Sequence, residues 1–139
     1  MIVLPAGDLE DWLGSLKPFQ RAHLKSFLLN SDEEAAAQEW LSATGCSQIV
    51  PFGGISDPKP FWDRFKAEFR KFICDETAYS DVKSSFAKEA PISKAVIISA
   101  VSGAIGATIG YAATLLAPAV ALLLYAVAKM GVQAYCAVG

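Results

Sequence analysis

The sequence predicts an all-α protein in two parts: an N-terminal bundle of short amphipathic helices over residues 1–90, then a C-terminal hydrophobic two-helix hairpin over residues 91–139 that is expected to be transmembrane. Three observations lead there. Apolar residues in the first part recur at helical spacing between start and stop signals. Of the 12 basic and 14 acidic side chains, all but Lys129 lie between Asp8 and Lys94. Finally, Ala95 to Ala128 form 34 consecutive residues without a charge.

The first helix is expected over about residues 8–16. Asp8 is suited to cap it, and Leu9, Trp12, Leu13 and Leu16 follow the i, i+3, i+4, i+7 pattern. Lys17-Pro18 ends it, and Pro18 suits the first turn of a second helix over 18–30. The third, over 32–44, is announced by Ser31-Asp32-Glu33-Glu34, which reads as a capping box with Ser31 as N-cap and Glu34 at the third position. Gly45 is a natural stop, and the Pro- and Gly-rich residues 45–59 read as a loop.

A fourth helix over 60–75 carries the strongest pattern of the polar part. At about 100° per residue, Phe61, Trp62, Phe65, Phe69, Phe72 and Ile73 fall within an arc of about 120°. This face suits a protein partner or a cover for the hairpin. Aromatic residues at Phe65, Phe72, Tyr79 and Phe86 continue at sevens, but Glu76 interrupts the face and favours a break near 74–77. A fifth helix is placed over 77–90, and Pro91 closes the region.

About 20 apolar residues cross the hydrocarbon core, so the uncharged run is too long for one untilted span. Two helices fit, over about 92–110 and 114–137, with a turn between Gly110 and Pro118. On the first, Ser99, Ser102, Gly103, Gly106 and Gly110 gather with Ala95 and Ala107 on one side, opposite Ile97, Ile98, Val101, Ile105 and Ile109. In lipid a small face lets another helix approach closely, so it is expected to be a helix-packing face, with the isoleucine side facing lipid. Lys129 falls where it can snorkel back to the interface of entry; a pore-lining or carboxylate-binding role is the competing account. Lys83, Lys88 and Lys94 precede the hairpin, which puts the N-terminal domain and both termini on the cytoplasmic side.

Chemistry is sparse. His23 is the single histidine and sits beside an apolar helix side, where packing explains it. Cys46, Cys74 and Cys136 form no CxxC pair, and the first residues lack the basic start of a secretory signal. Free thiols in a reducing compartment are therefore expected. No catalytic, metal or cofactor constellation is present in the sequence, and a pI near 5.3 argues against a nucleic-acid footprint. No small-molecule substrate is evident. The expectation is a non-enzymatic membrane-inserting protein, in its sharper form a pore-forming or membrane-perturbing effector of the toxin kind, whose partners are the lipid bilayer, further copies of itself, and a protein bound by the N-terminal helices. A membrane anchor or scaffold for a partner protein, or a soluble subunit buried in a larger complex, is the alternative.

Overall fold

The computed structural model describes residues 4–43, 58–88 and 93–137. Among these, all regular structure is helical: α1 (Leu9–Leu13), α2 (Pro18–Leu28), α3 (Glu33–Ala43), α4 (Pro58–Cys74), α5 (Ser80–Lys88), α6 (Lys94–Ile109), α7 (Ala113–Met130) and α8 (Val132–Ala137). The expected loop at 45–59 lies outside the described residues up to 57, and so do Pro91 and Cys46.

Local hydrogen bonding explains the helix starts. The Asp8 carboxylate accepts from the Asp11 N–H at 2.9 Å, and the Asp11 carboxylate accepts from the Asp8 N–H at 3.1 Å, a reciprocal box that opens α1. The helix ends early, at Leu13, and beyond its end the Arg21 guanidinium reaches back and donates to the Gly14 and Leu16 carbonyls. The start of α3 is one residue later than the sequence suggested. Asp32, not Ser31, caps it, accepting from the Ala35 N–H at 2.8 Å, while the Ser31 hydroxyl donates to Glu39. A carboxylate is a stronger acceptor for the positive helix end than a hydroxyl, which decides the competition. The break between α4 and α5 falls at 75–79. There the Asp75 carboxylate accepts from both the backbone and the hydroxyl of Thr77, and Tyr79 takes a left-handed φ of 55°.

The second hairpin helix is not continuous to 137. It stops at Met130, because Gly131 takes φ 101°, and α8 then sets off in a new direction. Around α7 the remaining helices are layered. α1, α2 and α3 pack on it together with α6, its hairpin partner, and α8 folds back at its end. α4 lies on α6 and α8, and α5 on α6. α3 and α7 pack along each other, and alanines on both (Ala36, Ala37, Ala119, Ala121) are fully buried. The buried side chains form one cluster running from Trp12 through Phe65 to Val127, so the apolar hairpin and the amphipathic helices share a core.

Candidate functional site

The α6–α7 hairpin is the feature that composition singles out, and its geometry begins with the turn. Ser93 caps α6 by accepting from the Val96 N–H at 3.2 Å. At the other end Gly110 takes a left-handed φ of 84°, and the N–H groups of Gly110 and Tyr111 both donate to the Gly106 carbonyl. The chain turns within Gly110–Ala112, at the start of the expected interval, and Pro118 sits buried inside α7. A Cβ on Gly106 would overlap the Tyr111 carbonyl oxygen and touch Leu116, so this glycine is required by the turn itself.

The two sides of α6 are arranged differently from expectation. Ile97, Ile98, Val101, Ile105 and Ile109 point into the core, whereas Ser99, Gly103 and Gly110 are exposed. In water the burial of five branched side chains outweighs close helix approach through glycine, so the bulky side turns inward. From the small side only Ser102 and Gly106 are buried. The Ser102 hydroxyl and the Trp12 indole N–H are buried with no hydrogen-bond partner among the described residues.

α7 is 18 residues long and is the one described helix long and apolar enough to cross a membrane; half of it is buried. α6, with 16 residues, is shorter than that. Two polar ties hold α7 to α3. The Trp40 indole donates to the Leu115 carbonyl at 2.9 Å, and Lys129 pairs with Glu33 at 2.5 Å while lying over the Tyr125 ring. Lys129 thus has a carboxylate partner on the amphipathic bundle. The hydrogen bond from that ammonium holds the Glu33 carboxyl below its ordinary 4.5.

The aromatic face of α4 lies over α6 and α8. Phe61, Trp62, Phe65, Phe69 and Phe72 are all buried. Phe61 meets the Tyr111 ring edge-on at 4.7 Å, Phe69 meets Tyr135 at 6.2 Å, and Phe72 contacts Tyr79 and Phe86. The Tyr79 hydroxyl bridges α4 to α6, lying 2.7 Å from Glu68 and 3.0 Å from Thr108. Its hydrogen bond, followed by that from Lys71, lowers the Glu68 pKa against the opposing effect of burial.

The free thiols expected at Cys74 and Cys136 are instead a disulfide, with Cα atoms 5.7 Å apart. Gly131 makes the pairing reachable, since it redirects α8 toward the end of α4. Arg70 supports the same junction: it donates to the Cys136 carbonyl at 2.8 Å and lies over the Tyr135 ring at 5.3 Å. Sequence reasoning missed this junction because the cysteines are 62 positions apart and carry no local motif. The Tyr111 and Tyr135 contacts were equally invisible, although the Gly110 stop marked the turn. His23 is exposed, with its ring among those of Phe19, Phe27 and Trp40.

A cleft of about 420 Å³ lies between α3, α4 and α8, lined by Glu34, Asp63, Lys66, Arg70, Met130 and Tyr135. Its cations are engaged, Lys66 with Glu34 and Arg70 with the Cys136 carbonyl. Among the described residues no group of three or more His, Cys, Asp or Glu side chains is placed to hold a metal ion. No protein-family model matches the chain, and neither a curated protein nor a solved structure shows significant similarity to it.

Proposed function

We propose that this is a small non-enzymatic protein that inserts into membranes, storing its apolar hairpin beneath amphipathic helices until release. The observation that carries the reading is the position of α7. It has the length and apolarity of a membrane span, yet half of it is buried, packed against α6 and against the short amphipathic helices α1, α2 and α3. On release α6 and α7 exchange the core for lipid. The exposed Ser99, Gly103 and Gly110, joined by Ser102, then form the face through which copies associate and perturb the bilayer, while Gly106 stays in the turn. Lysines ahead of α6 keep the amphipathic part and both ends on the side from which the hairpin enters. Lys129, freed from Glu33, snorkels to that interface.

The half-burial of α7 also favours a second reading, in which α7 is the permanent core helix of a water-soluble bundle. One experiment separates the two. The full chain is mixed with dye-loaded vesicles, then floated and extracted with alkaline carbonate. Dye release together with carbonate-resistant protein supports insertion. Complete recovery in the supernatant, with no leakage at any concentration, leaves only the soluble bundle.

A further inference from the structure

We propose that the Cys74–Cys136 disulfide is a thiol-exchangeable latch: a dithiol reductant opens it, and the opening undocks α8 and loosens α4 from the hairpin. Undocking stands on the contacts alone; its consequence for lipid rests on the membrane-inserting reading above.

The argument starts from how little else holds α8. The helix has six residues, none of them fully buried; Val132, Tyr135 and Cys136 rest half-buried on the edge of the core. A helix this short is not stable by itself in water. Its described ties to α4, besides the disulfide, are the Arg70 hydrogen bond to the Cys136 carbonyl, the Arg70 guanidinium over Tyr135, and the Phe69–Tyr135 edge contact. All three come from two neighbouring residues of α4, Phe69 and Arg70, a turn before Cys74. Each is of the strength that a freed tail breaks easily. Gly131 supplies the pivot, since its φ of 101° makes the α7–α8 junction a bend and not a continuation of α7. Neither cysteine residue is fully buried, and access of a thiolate is what exchange requires.

The same bond governs the cover. α4 is held over the hairpin by its buried aromatic face, by Phe61 against Tyr111 near its start and by the Glu68–Tyr79–Thr108 bridge, and the disulfide adds a covalent tie from its last residue to α8. While that tie holds, α4 cannot leave α8 altogether. The exchange itself balances without further reactants. One thiolate of the dithiol attacks a sulfur of the pair, and the other cysteine leaves as a thiolate and takes up a proton. The second thiolate of the dithiol then attacks the mixed disulfide and releases the first cysteine. Two electrons and two protons pass from the dithiol to the protein, and the dithiol ends as a cyclic disulfide.

The test compares the full chain, air-oxidised or treated with dithiothreitol, by amide hydrogen exchange and by leakage of dye-loaded vesicles containing anionic phospholipid. Cys46→Ser serves as background throughout, so that only the pair responds. Reduction should accelerate exchange in residues 132–137 by about tenfold or more, as expected for local opening, and should switch on or accelerate leakage. Cys136→Ser should do both without reductant, and Cys74→Ser provides a second route should the first variant misfold. Equal exchange in the oxidised and reduced forms would overturn the latch, as would air-oxidised protein that lacks the bond. Faster α8 exchange with no leakage in any state would leave the latch standing and refute membrane insertion. Equal leakage with and without reductant would remove the latch's control of release and leave insertion intact.

Discussion

Three glycines on one helix, read as one small face from the sequence, are under three different constraints. Gly106 is pressed against the Tyr111 carbonyl, Gly110 needs its left-handed φ, and Gly103 has open space where a Cβ would stand. The spacing of glycines was legible; which of them faces a backbone was not, because that depends on where the chain turns after Ile109. The difference gives a prediction. Gly103→Ala should raise stability by about 0.5–1 kcal/mol, since alanine restricts the unfolded chain and meets nothing in the folded one. Gly106→Ala should lower it by about 1–3 kcal/mol, because the obstacle is backbone and cannot swing aside. Urea denaturation of the two variants checks the pair, and equal effects would mean that the turn is not packed as described. Cysteine pairing was illegible for a related reason: nothing local in Cys74 or Cys136 records a contact made 62 positions away.

At the scale of elements, what was read well was whatever the chain writes locally. Asp8, Pro18 and Gly110 each mark a boundary within a turn of its actual position, and the aromatic arc of α4 is buried as a unit. What was not readable was the pairing of faces, because helical periodicity reports an apolar side without its partner. The isoleucine side of α6 is the instance: lipid and a protein core both accept it, and the folded chain in water puts it inside. Pairing between elements also sets the response to acid. The Lys129 contact to α3 lowers the Glu33 pKa, and the Tyr79 contact from the α5 start lowers that of Glu68. A carboxylate with a depressed folded-state pKa contributes stability that is full above its unfolded value and is lost as pH falls through the folded value. Stability should therefore decline as pH drops below about 4.5 and go on declining as the pairs are protonated. Urea midpoints measured across that range test this without the screening that guanidinium brings. Glu33→Gln should flatten the slope, since the variant no longer takes up that proton; an unchanged slope would mean the α3–α7 pair contributes nothing.

For the whole molecule the question is what the covalent tie between α4 and α8 does to the folding equilibrium. A bond closing a loop of 62 positions restricts the unfolded chain by about 4 kcal/mol in the chain-entropy account. In a domain of this size that corresponds to a fall of roughly 8–16 °C in Tm on reduction, provided the folded state is otherwise unchanged. The provision is the point. If reduction also frees α8, then the native protein regains much of the same chain freedom, because its last helix no longer has to stay beside α4. The entropy then appears on both sides of the equilibrium and largely cancels. The latch therefore predicts a small shift, below about 5 °C, together with fast exchange confined to the end of the chain. Calorimetry of the oxidised and reduced Cys46→Ser protein decides between them. A full-sized fall in Tm would mean that α8 remains docked until the whole bundle unfolds, and that the disulfide stabilises the fold without gating any part of it.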